Sequence, residues 1–203
     1  MRGLYAITSE AICAETSLLL RSVEAALRGG AAWIQYRDKK SDAARQRKNA
    51  QSLLTLCHQH GARLIINDNA DLAADIGANG VHLGRSDGSI AAARKQLGAS
   101  AIIGASCGNS LETARSAVAE GVSYVAFGRL FSSRTKPSAP PADLELLMQA
   151  RTLGVAVCGI GGITPANGAS VIAAGADLVA AVEGVFGAAD IEAAARAYTK
   201  LFE

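Results

Sequence analysis

Eight short apolar runs punctuate the chain at regular intervals, separated by stretches of mixed polarity. Four of them are Leu4-Tyr5-Ala6-Ile7, Leu64-Ile65-Ile66, Ala101-Ile102-Ile103 and Val155-Ala156-Val157. The other four sit inside a recurring phrase. It reads Gly30-Ala31-Ala32-Trp33-Ile34-Gln35-Tyr36-Arg37 first and Gly77-Ala78-Asn79-Gly80-Val81-His82-Leu83-Gly84 second. It returns as Gly121-Val122-Ser123-Tyr124-Val125-Ala126-Phe127-Gly128 and as Gly175-Ala176-Asp177-Leu178-Val179-Ala180-Ala181-Val182. Each copy is a helix-ending glycine, a two-residue turn and a run fit to be a buried strand. The leading glycines lie 47, 44 and 54 residues apart, and every gap holds one further apolar run. Eight strands, each with room for a helix after it, predict an α/β protein: one (β/α)8 TIM barrel spanning residues 1–203. Such a barrel carries its chemistry where strands end, so the polar residues just after each run are the candidates.

The intervening stretches predict helices over 18–28 with Ser17 as N-cap, 43–59 behind Ser41, 70–76, 90–97, a fifth capped by Ser110, 142–153, a seventh starting at Pro165, and 191–202. The last is amphipathic, and its apolar stripe reads as barrel packing. Only residues 131–141 have loop composition, holding three of the four prolines. Following the sixth strand, this loop is expected to rise over the catalytic face as a lid.

Composition narrows the functional classes. With 203 residues the chain has no room for a second domain, and with 50% hydrophobic residues it supplies a packed core easily. Its net charge of +2 is spread without the basic stripe of a nucleic-acid binder. No run of 18 apolar residues predicts a membrane span, and Met1-Arg2-Gly3 leads straight into a strand, so a cytoplasmic protein without a secretory leader is expected. Cys13, Cys57, Cys107 and Cys158 lack C-x-x-C spacing and read as reduced, structural thiols. Cys57-His58-Gln59-His60 looks like a metal tract, but it ends a helix and has no second ligand pair to match it.

Alternation along the second strand puts Gln35, Arg37 and Lys39 on one face and Tyr36 and Asp38 on the other. Two cations and an amide aimed into a barrel mouth call for an anion, and polyphosphate suits them; the competing reading is an internal salt-bridge network to Asp68 or Asp87. Asp68 and Asp87 follow adjacent strands, so their carboxylates can converge on a hard cation such as Mg²⁺. His82 points inward beside them and alone reads as a hydrogen-bonded core histidine. Ser106 places a hydroxyl at the rim of strand five, suited to hydrogen bonding because no His–Asp pair activates it. Glycines after strands seven and eight expose N–H groups of the kind that cradle a phosphate. Two anion pockets result: Arg37, Lys39, Lys136 and a metal for a diphosphate, and Gly162 with the strand-eight end for a monophosphate.

In order along the chain, Gln-x-Arg-x-Lys at 35–39, Asn-Asp at 67–68, Val-His-Leu-Gly-x-x-Asp at 81–87, Gly-x-Ser at 104–106, Thr-Lys at 135–136 and Gly-Ile-Gly-Gly-Ile at 159–163 resemble the thiamine phosphate synthase family. The resemblance implies a Mg²⁺-dependent transferase that joins 4-amino-5-hydroxymethyl-2-methylpyrimidine diphosphate to a thiazole phosphate and releases pyrophosphate. It implies pyrimidine diphosphate contacts at Gln35, Arg37, Lys39, Asn67, Ser106 and Lys136, with Tyr36 and Asp38 of the same run counted among them. Arg37, Lys39, Ser106 and Lys136 are then the catalytic set, and Asp68 and Asp87 hold Mg²⁺. Ser133, Arg134, Thr135, Gly162, Val182 and Glu183 fall where the thiazole phosphate binds. The chain departs from the family pattern at Asn69, Arg129, Ser132 and Glu183. A thiazole tautomerase of the same barrel, or a non-catalytic phosphate-binding relative, are the alternatives; both leave the Asp68/Asp87 pair without a task. Small-molecule substrates are the expected partners, with no nucleic acid or membrane; a homo-oligomer is left open.

Overall fold

In a computed structural model of the chain, eight parallel strands close into a barrel in sequence order, with β8 returning to pair with β1. The structure describes residues 1–132 and 140–203. The strands are β1 (Gly3–Ile7), β2 (Trp33–Tyr36), β3 (Arg63–Asn67), β4 (Gly80–Leu83), β5 (Ile102–Gly108), β6 (Tyr124–Gly128), β7 (Ala156–Ile160) and β8 (Leu178–Ala181). Outside them lie α1 (Glu10–Cys13), α2 (Thr16–Arg28), α3 (Ala43–Gln59), α4 (Ala70–Ile76), α5 (Ile90–Leu97), α6 (Leu111–Ala119), α7 (Leu144–Ala150), α8 (Gly168–Ala173), α9 (Glu183–Phe186) and α10 (Ile191–Thr199). The (β/α)8 architecture expected from the apolar rhythm is therefore present. The repeated phrase has a backbone reason: Gly30, Gly77, Gly121 and Gly175 all adopt positive φ, at 92°, 69°, 94° and 107°.

Each strand is buried on both faces, and its period of two sorts residues between two cores. Leu4, Ile34, Leu64, Ile66, Val81, Ile103, Val125, Val157 and Val179 face outward and pack under the helices. Tyr5, Trp33, Ile65, Ile102, Tyr124, Cys158 and Leu178 fill the barrel itself. Tyr5, Trp33 and Tyr124 meet edge to face with centroids 5.5–6.0 Å apart, a favourable geometry for buried rings. All four cysteines are free and buried.

Helices α4 and α5 have the expected bounds, and Ser110 caps α6 by accepting from the Thr113 N–H at 3.1 Å. Helix α3 also has its expected bounds, but Asp42, not Ser41, caps it, accepting from the Arg45 N–H at 2.8 Å. Other starts differ. Helix α2 begins a residue before Ser17, which sits in its first turn and bonds the Glu15 carboxylate. Asp143 caps α7, so that helix starts at Leu144. Pro165 lies in a turn ahead of α8, where Asn167 accepts from the Thr164 N–H at 2.7 Å and donates to the Gly162 carbonyl at 3.1 Å. At α3 and α7 a neighbouring Asp offers its carboxylate at the position where the chain actually turns. Among the described residues no helix is long and apolar enough to cross a membrane.

Candidate active site at the barrel mouth

The end of β2 is pinned by Thr8, which is fully buried: Thr8 accepts from the Arg37 N–H at 2.8 Å and donates to the Arg37 carbonyl at 3.0 Å. Gln35 points into the barrel and is 3% exposed. Arg37 is half-buried at the rim, within electrostatic reach of Glu10, and no ion pair engages it among the described residues. Lys39 forms an ion pair with Asp68 at 2.9 Å, so the salt-bridge reading of this cluster is realised in part. Tyr36 and Asp38, counted with this run as substrate contacts, direct their side chains to the far face of β2. Tyr36 packs in the outer core, and its hydroxyl donates to Asp38 at 3.0 Å. Asp38 also accepts from the Lys40 and Ser41 N–H groups, each at 3.1 Å, which folds the loop leading to α3.

Asp68 is the one non-glycine residue at positive φ among those described, at 63°, a region that Asp and Asn tolerate best. Its N–H donates to the His82 carbonyl at 2.8 Å, which fixes the turn after β3 against β4. Partial burial pushes the Asp68 carboxyl up. Hydrogen bonds with Lys39 and Asp87 outweigh this, leaving it below the ordinary carboxylate value. Asp87 folds back so that its Oδ2 accepts from the Gly84 N–H at 2.9 Å, and a Cβ at Gly84 would lie 2.4 Å from that oxygen. Two carboxylates from neighbouring strand ends thus converge beside a lysine. The pair fits a hard divalent cation that takes its remaining oxygens from ligand and water, since no group of three or more His, Cys, Asp or Glu gathers among the described residues. Asn69 caps α4, accepting from the Leu72 N–H at 2.9 Å, a structural task that accounts for it without a metal.

Beneath the rim runs a line of polar groups that reading the strands as apolar runs did not anticipate. Gln35 Nε2 donates to Tyr5 Oη at 2.7 Å, and Tyr5 Oη lies 2.9 Å from Tyr124 Oη. Tyr124 Oη lies 2.8 Å from His82 Nδ1, and His82 Nε2 lies 2.8 Å from Ser106 Oγ. His82 is the hydrogen-bonded interior histidine expected, but it belongs to a chain that ends at a candidate catalytic residue. The missed signal was present in the alternation: Tyr5 and Tyr124 occupy inward positions, where a phenol needs a partner. Gly104 makes the line possible, because a Cβ there would stand 2.0 Å from Cζ and 2.4 Å from Oη of Tyr124. Gly104→Ala should therefore destabilise the fold by about 1–3 kcal/mol through overpacking, and lower Tm by several degrees in a thermal melt. A variant that melts with the parent would show that the ring has room to move. Just past Ser106 the β5–β6 register slips, between Ser106 and Gly108, so a bulge sits at this rim.

At the opposite side of the mouth, Gly161 and Gly162 have φ of 101° and 64°. A Cβ on Gly162 would meet the Ser132 carbonyl oxygen at 2.3 Å, so close approach of the loop after β6 requires glycine here whatever else binds. Helix α9 starts directly after Val182, and the first N–H groups of a helix have no acceptor within it. The exposed Glu183 carboxylate runs along α9 toward Gly187, where a Cβ would lie 2.7 Å from Oε2. It is turned away from the start of its own helix. Ser133, Arg134, Thr135 and Lys136, and with them the body of the expected lid, lie outside the described residues.

The profile of the thiamine monophosphate synthase family matches residues 4–185. The chain is 54% identical over 208 residues to the thiamine-phosphate synthase of Nitrosococcus oceani, covering 100% of this chain and 93% of that protein. It is 50% identical over 202 residues to the thiamine-phosphate synthase of Chromobacterium violaceum, covering 100% and 97% respectively. Among solved structures, the thiamine phosphate pyrophosphorylase from Pyrococcus furiosus superposes with a TM-score of 0.88 at 32% identity, over 98% of this chain and 94% of that one.

Proposed function

The chain belongs to the thiamine monophosphate synthase family, and we propose that it condenses 4-amino-5-hydroxymethyl-2-methylpyrimidine diphosphate with 4-methyl-5-(2-phosphoethyl)thiazole, or its carboxylated form, to give thiamine phosphate and pyrophosphate. It is a transferase of thiamine biosynthesis. The observation that best supports the detailed reading is the cluster at the ends of β2, β3 and β4. There Lys39 pairs with Asp68, whose carboxylate meets that of Asp87, and Arg37 adds a second cation at the same strand end as Lys39. A diphosphate with its cation matches that charge pattern, whereas a lone monophosphate leaves half of it without a task.

In this mechanism Gln35, Asn67 and Ser106 hold the pyrimidine diphosphate, and Arg37, Lys39 and Lys136 stabilise charge growing on the leaving group. Lys39 can exchange Asp68 for a diphosphate oxygen at little cost, because a largely exposed ion pair is worth about 0–1 kcal/mol. Asp68 and Asp87 would hold Mg²⁺, which when bound neutralises charge on the diphosphate oxygens. The bond between the exocyclic methylene carbon and the diphosphate oxygen breaks, and both electrons leave with pyrophosphate. The thiazole nitrogen then attacks the pyrimidinylmethyl cation, so no protein nucleophile is required. Backbone N–H groups at Gly162 and at Val182–Glu183, with Ser133, Arg134 and Thr135, receive the thiazole phosphate. Incubation with both substrates and Mg²⁺ should yield thiamine phosphate and one pyrophosphate per turnover. Turnover of a thiazole phosphate without pyrophosphate release would point to a tautomerase instead.

Glu183 tests the second pocket. A carboxylate facing the thiazole phosphate would be repelled by about 4 kcal/mol at ~4 Å and an effective dielectric near 20. With the side chain turned toward Gly187, only the backbone serves the ligand. Glu183→Ser is therefore expected to change thiazole phosphate affinity by less than about tenfold, or ~1.4 kcal/mol, by titration calorimetry. A hundredfold gain on substitution would mean that the carboxylate does face the phosphate.

A further inference from the structure

Five side chains from five strands, Gln35, Tyr5, Tyr124, His82 and Ser106, form one unbroken hydrogen-bonded line across the barrel interior. Its tyrosines are buried, at 1% and 0% exposure, and burial pushes both phenols above their ordinary value, so each carries one proton. With a neutral imidazole, one proton per hydroxyl leaves two self-consistent arrangements, each with a single direction. If the Gln35 amide donates to Tyr5, then Tyr5 donates to Tyr124, and Tyr124 donates to His82 Nδ1. The imidazole is then neutral with its proton on Nε2, which it gives to Ser106 Oγ. The Ser106 hydroxyl proton is released from the line and is available at the rim. If the Gln35 amide is reversed, every bond reverses with it. Ser106 then spends its proton on His82 and offers only lone pairs outward.

The two ends of the line favour the same direction. At its start, the Gln35 nitrogen is the atom that faces the Tyr5 hydroxyl. At its finish, Ser106 lies near the end of β5 beside β4, and on the diphosphate reading it meets an anion there, toward which an O–H donor attracts and bare lone pairs repel. We infer that Tyr5 and Tyr124 are positioning residues that carry the polarity of the Gln35 amide to His82, fix its Nε2–H tautomer and turn Ser106 into a donor toward the anionic substrate. The part concerning Ser106 rests on the diphosphate reading above; the proton order is readable without substrate.

The test is long-range ¹H–¹⁵N correlation on substrate-free, ¹⁵N-labelled full-length protein. Its three histidines are separable, and His82 is assigned from the resonances lost in His82→Gln. The expected result is a neutral Nε2–H ring. A neutral Nδ1–H ring, or one with both nitrogens protonated, would overturn the inference. Gln35→Glu supplies a carboxylate that only accepts, so the line should reverse and move His82 to the Nδ1–H form. The same substitution made in a Tyr124→Phe background should leave the tautomer where Tyr124→Phe alone puts it. An unaltered tautomer in the first variant, or a switch that persists in the second, would show that the tyrosines transmit nothing. Should the buried carboxylate prevent folding, Tyr124→Phe alone decides: the unprotonated Nδ1 resonance must move toward its unbonded position, and a resonance that stays put counts against the line. With substrates, Tyr124→Phe should slow single turnover by roughly two- to tenfold, the weight of one hydrogen bond. A protein with the Nε2–H ring that forms no thiamine phosphate would sink the functional reading and leave the proton order standing.

Discussion

Asp68→Asn and Asp87→Asn, each keeping a side-chain acceptor, should cut turnover by more than about a hundredfold at limiting Mg²⁺ while leaving the melting temperature almost unchanged. Loss of groups that merely orient a metal's ligands already costs about 10–100-fold, so loss of a ligand should exceed that. Asparagine is the right replacement at position 68 because the residue sits at φ of 63°, a region Asn enters far more easily than Ala. The pairing lost with the Asp68 charge is the partly exposed contact to Lys39, worth about 0–1 kcal/mol at most. Activity and stability therefore separate cleanly. Steady-state assays across a Mg²⁺ titration, set beside thermal melts, check both halves. Retained turnover together with a large drop in Tm would assign the pair to structure alone.

Arg37→Ala should slow the chemical step by roughly 10- to 150-fold, the equivalent of about 1.5–3 kcal/mol for a hydrogen bond to a charged group. On the proposed mechanism its guanidinium meets charge that grows on the leaving group, so rapid-quench single-turnover rates should fall while thiazole phosphate affinity holds. The variant should fold normally, since Thr8 grips the Arg37 backbone and not its side chain. Arg37→Lys should restore only part of the rate, because an ammonium lacks the planar fork of donors. Normal single-turnover rates with weakened thiazole binding would mean that the two anion pockets have been assigned the wrong way round.

The barrel was legible because a strand buried on both faces must be apolar throughout, and eight such runs with helix-ending glycines between them admit few topologies. Helix starts were harder to read. Ser41 lies beside Asp42, and which of the two caps depends on where the chain turns, which is decided by packing. The rim residues were found because charge at a strand end is conspicuous. The position of Tyr36 and Asp38 followed from alternation, which already set them on the far face from Gln35, Arg37 and Lys39. Any contact they make with a ligand at the mouth is then one for their backbone, not their side chains. Tyr5 and Tyr124 escaped notice for the opposite reason. They sit within apolar runs, and only the barrel's closure brings their hydroxyls from β1 and β6 within 2.9 Å of each other. Gly104 carries no chemistry, and its need for glycine appears only once the Tyr124 ring is seen to cross it.

The edge-to-face packing of Tyr5, Trp33 and Tyr124 also governs traffic. These rings, none more than 4% exposed, fill the barrel with a packed core that carries the polar line on its hydroxyls, and such a core is no pore. Whatever reaches the strand ends must come and go by one doorway. On the proposed reading both substrates and both products pass through that one mouth, each of the two pockets being reached from its own side of it.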